Sequence, residues 1–155
     1  MPQEPSLDEV QVAAGKVAAD YGHGYLRCHH FLLALVNQEG TLASRALIRA
    51  GVTQEALETQ IAATSPSDFW GKAKEWDGHK GIEGGADIAR AVALAQGIAV
   101  GMGVSEPKAT HLLLAFLWDP SPGVWEEGLK QLCTRQELAE CARVAGVALP
   151  VVPLP

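Results

Sequence analysis

One heptapeptide pattern occurs twice in this chain. His30-Phe31-Leu32-Leu33-Ala34-Leu35-Val36 returns 81 positions later as His111-Leu112-Leu113-Leu114-Ala115-Phe116-Leu117, and the match runs on in both directions without a gap. Upstream, Ala14 pairs with Ala95, Val17 with Ile98, Ala18 with Ala99 and Gly22 with Gly103; downstream, Thr53 pairs with Thr134 and Leu57 with Leu138. An ungapped repeat of this length describes one half-domain used twice, and it limits the possible architectures more than any local propensity does.

Within each half the periodicity is helical. Ser6 is the expected N-cap of a first helix, with Asp8 and Glu9 in its first turn, where the macrodipole favours acids. Leu7, Val10, Ala14, Val17, Ala18 and Tyr21 follow a 3.6-residue spacing, and Gly22-His23-Gly24 stops the helix. The His30 stretch is apolar almost all round, which predicts the buried helix of its half. Leu42 to Ala50 and Gln54 to about Ala63 complete four helices. The second half repeats the plan: a helix from Ala86 to about Val100, the buried helix from about Thr110 to Trp118, a third from Val124 to Leu132, and a last one capped by Thr134. The expectation is an all-α domain of eight helices in two pseudo-twofold four-helix repeats. Repeat one covers about 7–63, a linker 64–85, repeat two about 86–146, and a proline-rich tail 147–155. The linker holds five glycines beside Phe69, Trp70 and Trp76, aromatics that a passive tether would not need.

Bulk properties exclude several function classes. A chain of 155 residues, 48% hydrophobic, is one domain with room for a core. A net charge of −6 and scattered Lys and Arg oppose nucleic-acid binding, which needs a basic patch. No apolar run reaches the length of a membrane span, and Met1-Pro2-Gln3-Glu4-Pro5 does not read as a signal peptide. Three cysteines, an odd number, suit a reducing cytoplasm.

The chemistry-bearing residues point away from catalysis. Because His30 and His111 recur at one repeat position, a structural role is expected, a ring nitrogen satisfying a buried backbone group. His23, Cys28, His29 and His30 form a metal-like cluster, but neighbours on a helix point apart, so no metal site is assigned. A Cys28–His29 nucleophile pair meets the same objection, and no third group is evident to orient the base. No phosphate loop and no hydrolase or dinucleotide motif occurs, and no cofactor is expected. Trp118 and Trp125 either fill the seam between the halves, with the linker aromatics folded back over the domain as a lid, or join those aromatics in lining a groove for a peptide or apolar ligand. Phe69, Trp70 and Trp76 are read as candidates for a binding surface, together with the first helices of the two halves, since Trp is enriched at binding hot spots.

Gly22-His23, His30-Phe31-Leu32-Leu33-Ala34-Leu35 and Gly51-Val52, then Gly103, His111-Leu112-Leu113-Leu114-Ala115 and the Thr134 cap, form a pattern that resembles the double repeat of the Clp unfoldase N-terminal domain. The resemblance covers about residues 7–146. It implies a docking platform for protein substrates, adaptors and, in actinobacteria, cyclic-peptide antibiotics. Without ATPase modules, the chain looks like a stand-alone Clp N-domain. The family usually carries Thr-Glu-His before each buried helix, and in some members those glutamates grip phosphoarginine. Here the triplets are Cys28-His29-His30 and Ala109-Thr110-His111, so His29 and Thr110 stand where the acids would be. The expectation is a non-catalytic binder of a protein or peptide, acting as adaptor or decoy for a Clp unfoldase. The alternative is sequestration of an apolar or cyclic-peptide ligand, and a distant third is a metal-assisted hydrolase.

Overall fold

The computed structural model describes residues 4–63, 83–84, 86–120, 125–126 and 128–155. Phe69, Trp70 and Trp76 lie outside the described residues. Within them are seven α-helices: α1 (Leu7–Asp20), α2 (Cys28–Asn37), α3 (Leu42–Arg49), α4 (Gln54–Ala63), α5 (Ala86–Gly101), α6 (Ala109–Trp118) and α7 (Arg135–Ala145). The fold is all-α, as the repeat predicts. Two short segments, β1 (Tyr25–Leu26) and β2 (Glu83–Gly84), pair in parallel.

Local chemistry accounts for the helix ends. The Ser6 hydroxyl accepts from Glu9 N–H at 3.2 Å and opens α1, while Thr134 does the same for α7 through Glu137 N–H at 3.0 Å. Helices α1 and α5 end alike. His23 N–H reaches Ala18 O at 2.9 Å and Gly22 N–H reaches Ala19 O at 3.0 Å; Val104 and Gly103 repeat this on Ala99 and Val100 at 2.8 and 3.0 Å. This double bond pattern needs a left-handed residue just past the helix, and Gly22 (φ 71°) and Gly103 (φ 75°) supply it without a Cβ penalty.

The core is built round α2 and α6. Every residue from Cys28 to Val36 is buried, as is every residue from His111 to Leu117. α1 covers α2, and α5 covers α6 in the same manner. The halves interlock, since α3 of the first half packs on α7 of the second. The lead-ins cross as well. Leu7 N–H donates to Pro107 O at 2.9 Å and Ala109 N–H to Pro5 O at 2.8 Å, while β2, just ahead of α5, pairs with β1, just ahead of α2.

The third element of the second half differs from the expected helix. Residues 125–126 are helical, and Leu129–Gln131 is a single 3₁₀ turn. Tertiary crowding gives the reason. Gly128 lies so close to α4 that a Cβ there would overlap the Gln60 carboxamide and stand 2.9 Å from His29 Nε2. Its carbonyl accepts from Gln60 Nε2 at 2.9 Å, a bond to a neighbouring helix rather than along its own chain. Trp125 is buried against the end of α6, where its indole N–H donates to Phe116 O at 2.6 Å. Arg135 donates to Leu117 O at 2.7 Å and places its guanidinium 5.1 Å from the Trp125 ring centroid, so the two side chains together satisfy carbonyls left open at that helix end.

Candidate functional site

The two repeat histidines sit at the third position of their helices and hold the same bond. Arg27 N–H donates to His30 Nδ1 at 2.8 Å, and Lys108 N–H donates to His111 Nδ1 at 2.8 Å. An N-terminal N–H without an intrahelical partner is thereby satisfied in each half, the task a glutamate or glutamine performs in a capping box. Accepting at Nδ1 requires the ring proton to be on Nε2. In the first half that proton points at His23 Nδ1, 2.8 Å away. His23 in turn stacks on Tyr21, with ring centroids 5.4 Å apart and planes 15° from parallel. The second half has Val104 where the first has His23, so this imidazole pair belongs to one half only.

Burial keeps these rings neutral. His30 is pushed down to about 3, first by desolvation and then by His23, His29 and Arg27 around it. His23 is lowered by burial, and His111 by burial and the adjacent Lys108. Cys133 is pushed up to about 11 by burial, with Glu137 and Cys141 adding to the effect, so it stays a thiol at neutral pH. Both ring nitrogens of His30 are thereby engaged, Nδ1 by Arg27 N–H and Nε2 by His23.

His29 and His30 are neighbours but serve different contacts. His29 is 2% exposed, and its Nε2 lies 3.1 Å from Gln60 Oε1 on α4. Thr110, at the matching repeat position, is half-buried. The His29 side chain therefore faces α4 and the Gly128 backbone rather than solvent. Among the described residues no group of three or more His, Cys, Asp or Glu side chains converges as metal ligands would.

An open groove lies elsewhere, where the ends of α1 and α2 meet the start of α4. It consists of two adjoining hollows of about 310 and 760 Å³ that share Asn37, Gln54 and Glu58. Val17, Leu33, Val36 and Ile48 give it an apolar floor. Asp20, Glu39 and Glu55 join Glu58 on its rim. The Tyr21 hydroxyl is raised by burial and by the nearby Glu58 carboxylate. Sequence reasoning did not single out this groove. The signal available was a position-by-position comparison of the repeats, in which these acids have no acidic counterpart.

The family model described as Clp repeat (R) N-terminal domain matches residues 4–131. No curated protein matches the chain by sequence. Solved structures share its fold. The Hsp104 N-terminal domain from Candida albicans is 15% identical, with a TM-score of 0.67, covering 95% of this chain and 95% of that one. The N-terminal domain of the caseinolytic protease associated chaperone ClpD from Arabidopsis thaliana is 17% identical, with a TM-score of 0.59, covering 88% and 94%. A ClpV N-domain in complex with a VipB peptide is 14% identical, with a TM-score of 0.55, covering 96% and 98%.

Proposed function

The chain belongs to the Clp repeat N-terminal domain family, and from that premise we propose a non-catalytic module that binds a protein or peptide segment, acting as adaptor or decoy on the substrates or partners of a Clp unfoldase. The observation that carries this reading is the fold it shares with a ClpV N-domain solved with a VipB peptide. No phosphate loop, and so no AAA+ motor, lies within the 155 residues. Cys28, Cys133 and Cys141 form no disulfide, which supports a reducing compartment such as the cytoplasm. Among the described residues no helix is long and apolar enough to cross a membrane. The open groove is rimmed with carboxylates and amides, so sequestration of an apolar cyclic peptide gains no support from it.

Phe69, Trp70 and Trp76 remain proposed contributors to the binding surface, because large aromatics in a glycine-rich stretch lose solvation cost when a partner covers them. The experiment is retention of peptides from a cellulose-bound array, and of a purified Clp unfoldase, on the immobilised chain. Reproducible retention of either supports the module. Retention of neither refutes it. Trp70→Ala with Trp76→Ala is expected to weaken retention while leaving thermal melting unchanged; a large fall in melting temperature would instead make those rings core.

A further inference from the structure

The two halves differ in one respect that their common plan makes visible. Thr134, Arg135, Gln136 and Trp118 are the repeat counterparts of Thr53, Gln54, Glu55 and Asn37, which line the first-half groove. In the second half this surface is already occupied by the chain itself. Trp118 Nε1–H donates to Val152 O at 2.9 Å, and Leu154 and Pro155 share a hollow with Thr134, Arg135 and Gln136. Leu149 and Leu154 pack against the core. The tail of residues 147–155, with three prolines, thus lies along the second half as an extended ligand would. Among the described residues no segment covers the matching surface of the first half in this way, and Asn37, Gln54 and Glu55 are exposed.

Charge separates the two surfaces further. Asp20, Glu39, Glu55 and Glu58 correspond to Gly101, Pro120, Gln136 and Ala139, none of them charged. The tail that covers the second half carries no charged side chain either. In the first half the four carboxylates make no ion pair with another described residue, and Glu58 accepts a hydrogen bond from Gln54 at 2.9 Å. A groove with an apolar floor and an anionic rim favours an apolar segment with cationic side chains, because complementary charge steers and selects the partner.

We propose that the groove between α1, α2 and α4 docks an extended, apolar segment of a partner protein that carries lysine or arginine, in the place its counterpart gives to the chain's own tail. The proposal rests on the peptide-binding reading and adds to it the site and the class of partner. An uncharged tail from a second copy would fit the floor but leave all four carboxylates without a counter-charge.

The test uses the full ¹⁵N-labelled chain and three synthetic nonapeptides: residues 147–155 as they stand, and the same sequence with lysine or with glutamate in place of Ala148 and Val151. The lysine peptide is expected to bind saturably, with amide shifts gathered at Tyr21, Asn37, Gln54, Glu55 and Glu58. The glutamate peptide should bind at least about tenfold more weakly, and Glu55→Gln with Glu58→Gln should weaken the lysine peptide by about tenfold. Equal binding of all three peptides, an unchanged affinity in the double variant, no binding, or shifts centred on Trp118 and Arg135 would each overturn the proposal. Array peptides or unfoldase still retained by the double variant would then leave the general peptide-binding reading standing, whereas loss of all retention by the native chain removes both.

Discussion

Replacing His30 by glutamine separates the two things this residue does. As the third residue of α2 it accepts from Arg27 N–H, and glutamine at that position can make the same capping bond. As a buried imidazole held down at about 3 against an ordinary 6.5, it refuses a proton that the unfolded chain accepts. The sign follows from that difference. Above pH 6.5 both states are neutral and the contribution to stability is whole; as pH falls from 6.5 towards 3, only the unfolded chain gains the proton, and stability is lost. Each pH unit below 6.5 costs the native state about 1.4 kcal/mol, so at pH 5 the loss is about 2 kcal/mol. His23 and His111, lowered in the same direction, add to the acid sensitivity of both proteins. The assay is urea unfolding at about pH 7.5 and pH 5, extrapolated linearly to water. The native chain should lose about 2 kcal/mol more over that interval than His30→Gln does. Equal losses would mean that His30 titrates near its ordinary value when folded, and the neutral, doubly bonded imidazole would be wrong.

Other outcomes follow from separate contacts. Gly128→Ala should destabilise the fold by about 1–3 kcal/mol, because the new methyl displaces the Gln60 carboxamide from Gly128 O and crowds His29; an unchanged urea midpoint would refute the close approach. Trp118→Phe removes the indole donor to Val152 O, so amide exchange across residues 149–154 should rise while global stability falls by only about 0.5–1.5 kcal/mol; exchange that does not change would show the tail to be held by its apolar contacts alone. Phosphoarginine should give no calorimetric signal, since buried His29 and uncharged Thr110 offer its guanidinium no carboxylate; saturable binding there would contradict the geometry.

Much of the scaffold was legible because it is local. Gly22 and Gly103 announce their helix stops, and the apolar runs of α2 and α6 announce burial, since each depends on a few adjacent residues. The third element of the second half was not, because Gly128 is constrained by α4, 68 positions away from Gln60 in sequence. The repeat places His29 where the family carries a ligand-gripping glutamate; its burial depends on the same long-range contact with Gln60, which periodicity cannot report. The covered and open grooves were hidden for a related reason. Neither Val152 nor Trp118 carries a signal that they meet, although the four unmatched acids were there to be compared.

The crossed lead-ins impose an order on how the domain comes into being. Pro5 and Leu7 find their backbone partners only at Pro107 and Ala109, in the other half. During synthesis the first helix bundle leaves the ribosome with its opening segment unpaired, and it stays so until the second buried helix has followed. The closing contact of the first half is therefore among the last to form. Such reciprocal bracing is that of two identical subunits about a twofold axis, and a tethered pair of once-separate protomers would have inherited it: each repeat opens with a strap that fits its sister better than itself.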